Sequence, residues 1–252
     1  MTHQEALTTY TLRLADNALI MGHRLGEWCS KAPILEEDLA ITNMALDMIG
    51  RAEAILRYTA ELEGKGHTED DLAYRRDERK YYNHLLVEQP NGDFAYTIAR
   101  QLFNSAYEFF YYTELMQSKD ATLAAIAAKS IKEIKYHLKH ASDWTIRLGD
   151  GTEESATRMQ NAINELWMYT GELFESDELD ENLGALGIAP NASELKGKWK
   201  THIMDVLAEA KLVVPTDAYM QTGSKKGIHT EYLGYILADM QYLQRAYPDA
   251  KW

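Results

Sequence analysis

Glu133 and His137 stand four residues apart in KSIKEIKYHLKHASDW, residues 129–144. A carboxylate and an imidazole on one helical face are half of what a carboxylate-bridged di-metal centre requires. In such bundles two helices each supply a Glu, and the other two each supply a Glu-x-x-His pair. The three-residue spacing lets the carboxylate bridge the metals while the imidazole binds one of them. The eight histidines allow a complete check: three residues before them stand Ile20, Gly64, Tyr81, Ile134, His137, Trp199 and Lys226, and His3 has no such position. No Glu-x-x-His or Asp-x-x-His exists. At four-residue spacing the imidazole lies about 100° further round the helix than at three. Glu133 and His137 read either as an unusual ligand pair or as two groups satisfied by ordinary hydrogen bonds.

These residues need helices to position them, and the chain supplies helical periodicity throughout. A first helix is expected over about 5–29 and a second from SKAPILEED to about residue 62, with Ile41, Met44, Ala45, Met48, Ala52 and Ile55 as its apolar stripe. EGKGHTEDD reads as a polar connection, 72–88 as partly helical, and QPNGD as a turn. Long helices follow at about 94–117 and 121–148, then shorter ones near 157–174, 193–212 and the C-terminal end, with SDELDENLG as an acidic loop. This is an all-α pattern: a four-helix bundle over about 5–148 with additional helices over about 155–252, in one domain of 252 residues.

Hairpin register shows what shares a level with Glu133. A turn near residue 119 puts it opposite 105–108, making Glu108 its neighbour. A turn near residue 32 puts Asp47 level with Asp16 and Asn17. Where a second Glu-x-x-His would stand, the chain offers Asn43 and Asp47. Asp16, Asn43, Asp47, Glu108, Glu133 and His137 thus form a candidate polar layer short of nitrogen ligands. His137 or Arg51 would be its internal counter-charge, since unpaired buried charge is costly. The alternative is a catalytic di-metal bundle with an atypical ligand set drawn from Asp16, Asp47, Glu108, Glu133 and His137.

GSKKGIHTE is the other candidate. Lys225 and Lys226 form a basic tip before a helix start, with His229 and Glu231 following. Helix N-termini attract anions, so the tip reads as a contact to an anionic group such as a CoA phosphate or a partner's acidic patch. Equally, it reads as a solvated loop capped by Thr230 or His229. The sixteen tyrosines are either core or the mark of a protein interface.

Composition excludes several classes. A net charge of −13 disfavours nonspecific nucleic-acid binding, which needs basic surface. The single cysteine, Cys29, allows no internal disulfide. No secretory leader or membrane-length apolar run is visible, so the expected location is the cytoplasm. There is no serine elbow, P-loop or dinucleotide fingerprint.

Four strings spread along the chain carry a resemblance: TLRLADNALIMGHRLGEW, YRRDERKYYNHLLVEQPNGDFAYTIARQ, KSIKEIKYHLKHASDWTIRLGDGTEES and GSKKGIHTEYLGYILADMQYLQRAYP. Together they closely resemble the C subunits of bacterial phenylacetyl-CoA epoxidases, multicomponent oxygenases of phenylacetate degradation. The resemblance implies a ferritin-like bundle that pairs with a homologous catalytic subunit holding the di-iron centre and the acyl-CoA pocket. It also implies a small accessory subunit and a reductase fed by NADPH. In that family this component acts as a structural, non-catalytic partner without a cofactor of its own, and the missing Glu-x-x-His agrees with this.

Overall fold

The computed structural model describes residues 2–216, 219–248 and 250, and among these the chain forms helices, turns and loops with no strand. The fold class is all-α, in keeping with a ferritin-like bundle. Two compact units are present: residues 1–90 with 223–252, and residues 91–222.

The first unit is built on α1 (His3–Gly26) and α2 (Leu35–Glu63). Thr2 caps α1 in a reciprocal capping box with Glu5, which satisfies two free N–H groups at once. α2 has no side-chain cap, but Glu36, Glu37 and Asp38 fill its first turn, where the helix dipole favours acids. The expected stripe Ile41, Met44, Ala45, Met48, Ala52 and Ile55 is buried. Gly22 lets α1 lie close on α2: a Cβ there would sit 2.9 Å from Ile49 Cγ1. The segment beyond α2 holds more helix than expected. A Thr68–Asp71 capping box starts α3 (Glu69–Tyr74), and α4 (Leu85–Glu88) precedes the QPNG turn.

The second unit is built on α5 (Phe94–Leu115) and α6 (Ala121–Gly149), started by the Asp93 and Asp120 caps. α7 (Glu153–Leu166) and α9 (Ala192–Glu209) pack on α5. Phe103, Trp167, Phe174 and Trp199 form an aromatic cluster with tilted or edge-on contacts at 5.3–5.8 Å, and Trp199 Nε1 donates to the Phe103 carbonyl at 3.0 Å. SDELDENLG is a helix rather than a loop. Asp177 accepts from the Asp180 N–H and opens α8 (Glu178–Ala185), a capping box built from two aspartates instead of the usual Ser or Thr with Glu.

α10 (Glu231–Ala246) belongs to the first unit, against α3, α4 and α1. Among the described residues no helix is long and apolar enough to cross a membrane.

Candidate functional site

The two hairpins place the polar candidates differently from one another. In the second unit Phe94 meets Trp144 edge-on at 5.0 Å, and these residues lie equally far from residue 119. That is the expected register: Glu133 is level with Ser105, and Glu108 with Ser130, within about one helical turn. Glu108 and His137 are buried, and Glu133 is half-buried.

In the first unit Thr59 Oγ1 bonds Thr11 Oγ1 at 2.9 Å, and Gly22 faces Met48. Both pairs centre on residue 35, not 32. Backbone bonds from Trp28, Cys29 and Lys31 continue the first arm beyond Gly26 and delay the reversal. Asp16 is therefore level with Ala54, and Asp47 lies seven residues away, about 10 Å along the axis. Asn43 is exposed on α2 and joins no buried layer. Asp47 is half-buried. Asp47, Glu108, Glu133 and His137 each have interactions within the chain, so none is free. Among the described residues no three His, Cys, Asp or Glu side chains converge as a metal-binding group.

Asp16 has a partner that was not expected. Its carboxylate, fully buried, accepts from both terminal nitrogens of Arg76 and from the Tyr82 N–H at 2.9 Å. The counter-charge of Asp16 itself is thus Arg76. Burial alone would weaken the Arg76 cation, but Asp16 more than offsets it and raises its pKa. The guanidinium also lies 4.1 Å from the Tyr81 ring centroid, a cation–π contact. Burial pushes the Tyr81 phenol up to about 12, and its hydroxyl accepts from Gln241 Nε2 at 2.8 Å.

The GSKKGIHTE tip turns inward. His229 Nδ1 lies 2.8 Å from Glu88 Oε2, and its Nε2 lies 2.8 Å from the Tyr81 carbonyl. Both ring nitrogens face oxygen acceptors, an arrangement that favours the imidazolium, in which both donate. Burial opposes that charge, yet the hydrogen bond and charge of Glu88 raise its pKa. Thr230 donates to Glu88 Oε1 from its N–H at 2.6 Å and its hydroxyl at 2.7 Å, and Asn83 Nδ2 donates to Oε2 at 2.9 Å. Thr230 is the N-cap residue of α10, but its hydroxyl serves Glu88 instead of capping. The anion at this helix start is the chain's own Glu88. Arg24 holds the other side of the residue through the Glu88 carbonyl at 2.8 and 3.2 Å. Gly227 makes the approach fit: its φ is +66°, and a Cβ would collide with the Arg79 carbonyl. Lys226 and Glu231 are exposed, and Lys225 is half-buried with interactions of its own.

Sequence reasoning passed over Arg76 and Glu88. The signal for Glu88 was present, since a lone acid ends the apolar run LLVE, and a Glu in such a run is buried only when paired. Arg76 gave no comparable signal within YRRDERK.

On α5, Gln101 and Ser105 are buried, and neither the Gln101 amide atoms nor the Ser105 hydroxyl has a hydrogen-bond partner among the described residues. They lie one turn apart, on the face that continues to Glu108.

The chain matches, over residues 1–252, a family described as phenylacetic acid catabolic protein. It belongs to that family. It is also 53% identical over 246 residues to the C subunit of 1,2-phenylacetyl-CoA epoxidase from Escherichia coli (strain K12), covering 98% of this chain and 99% of that relative. In this family member the two acids whose bonds are most fully defined, Asp16 and Glu88, face cations and N–H donors of the same unit. A carboxylate so occupied has few lone pairs left for a metal or for proton transfer. These pairs do structural work: they hold the segment of residues 76–90 against α1 and against the start of α10.

Proposed function

We propose that this chain is the structural, non-catalytic subunit of a multicomponent phenylacetyl-CoA ring epoxidase in phenylacetate catabolism, where it pairs with and stabilises a homologous di-iron catalytic subunit. The observation that carries this reading is the similarity to the C subunit of the E. coli epoxidase along nearly the whole of both chains. A small accessory subunit and a reductase are the expected further members. No cofactor is assigned to this chain, and the iron belongs to the catalytic partner.

Two features support the division of labour. Asp16, the inward acid of α1, is neutralised by Arg76 rather than left to bind a cation. The chain also has no Glu-x-x-His, the pair that gives a di-metal site its nitrogen ligands.

Iron analysis of each chain, purified alone and after co-expression with the catalytic subunit, tests the reading. Iron is expected to follow the catalytic subunit, and the two chains are expected to co-purify. About two irons per chain in this protein alone, together with oxidase activity, would overturn it.

A further inference from the structure

We propose that the outer face of α2 from Leu35 to Glu53 seats a helix of the partner subunit, one with aliphatic side chains at three- and four-residue spacing and a Lys or Arg at the end nearest α3. This rests on the pairing reading above and adds where, and by what chemistry, the pairing occurs.

The first observation is an exposed aliphatic strip. Leu35, Leu39 and Leu46 are 71%, 57% and 62% exposed, and Ile34 beside them is 49% exposed. The three leucines fall within about 40° of one another around the helix, so they form one strip. Single exposed leucines are ordinary on a soluble protein, whereas a contiguous row marks an interaction surface. Asn43, exposed between Leu39 and Leu46, adds a hydrogen-bonding group to the same side.

The second observation is Gly50, one turn after Leu46. It is exposed in the interior of a 29-residue helix, and a Cβ there would meet nothing within 4 Å. Mid-helix glycine destabilises a helix relative to alanine, and no packing among the described residues calls for it. Close approach of another backbone gives it a use.

The third observation fixes the partner's polarity. Beyond Gly50 the strip runs into a hollow of about 250 Å³, with Ile49, Leu56 and Tyr74 among its walls and Glu53, Glu69 and Asp70 at its edge. Arg57 pairs with Glu53 and Glu69 at 2.5 and 2.9 Å, which leaves three carboxylates against one guanidinium. A hollow lined by both apolar side chains and surplus carboxylates suits the stem and head of a Lys or Arg. The occupant is therefore aliphatic along the leucines and cationic at the α3 end.

The test is co-expression of the catalytic subunit with the wild type, with Leu39→Glu/Leu46→Glu and with Gly50→Ala, followed by affinity measurement and thermal unfolding of each chain alone. The leucine variant is expected to weaken pairing roughly tenfold or more with its helicity unchanged. Gly50→Ala is expected to raise the unfolding midpoint of the isolated chain while weakening pairing. If the wild type pairs and both variants pair as tightly, this inference falls and the structural-subunit reading stands. If the wild type does not pair, the structural-subunit reading falls and this inference with it. Light scattering that shows a wild-type homodimer, dissociated by Leu39→Glu/Leu46→Glu, would assign the strip to a second copy and overturn the partner named here.

Discussion

His229 and Glu88, 141 positions apart in the chain, meet as a fully buried ion pair at 2.8 Å, with the second nitrogen of the ring on the Tyr81 carbonyl. The geometry favours the cation. Unfolded, the ring titrates near its ordinary value of about 6.5, and folded it titrates higher. The stabilisation is therefore whole below about pH 6.5 and is lost as pH rises through the folded value. Thermal unfolding from pH 6 to 9 should show a midpoint that falls on the alkaline side, and His229→Gln should flatten that limb while lowering stability at pH 6.

His84 has the opposite sign. Burial, and then the Lys225 and Arg13 cations, hold its pKa down to about 3. Between about pH 6.5 and 3 the unfolded ring takes up a proton that the folded ring refuses, so stability falls on acidification by up to about 1.4 kcal/mol per pH unit. Burial lowers His23 and His202 in the same direction. Urea midpoints measured from pH 7 to 4 should decline, and His84→Gln should make the decline shallower.

Arg76→Ala should destabilise the chain by about 3–5 kcal/mol, because it strands the buried Asp16 carboxylate. Arg76→Met combined with Asp16→Asn should recover much of that loss. Denaturant unfolding of the two variants separates the cost of a stranded charge from the net worth of the pair.

Ser105→Ala should cost less than about 0.5 kcal/mol or raise stability, since its buried hydroxyl has no partner among the described residues. Thr59→Val, by contrast, removes a buried hydroxyl bonded to Thr11 and to the Ile55 carbonyl, and should cost about 1 kcal/mol. Parallel urea titrations of the two variants decide this.

The long helices and the buried stripe of α2 were readable because only a one-sided helix repeats its apolar residues every 3.6 positions over twenty or more residues. The α5–α6 register was readable too, since its turn is short and centred where SKD falls. The α1–α2 register was not. Extra turns after Gly26 moved the reversal by three residues, and a shift of that size separates Asp16 from Asp47. Short helices such as α8 escaped because their start depends on one capping pair, Asp177 with Asp180, rather than on periodicity. The candidate site suffered most. The Asp16–Arg76 and Glu88–His229 pairs join residues 60 and 141 positions apart, and no local pattern encodes such partners.

The Glu88 clasp also sets an order of events during synthesis. Thr230 lies 142 residues after the carboxylate it serves. At ribosomal rates of about 5–20 residues per second, roughly 7–30 s pass between the making of Glu88 and the making of its partners. Residues 91–222 are complete in sequence before the first unit can be. Residues 91–222 are thus made first, and the Glu88 carboxylate stays unclasped until His229 and Thr230 have left the ribosome.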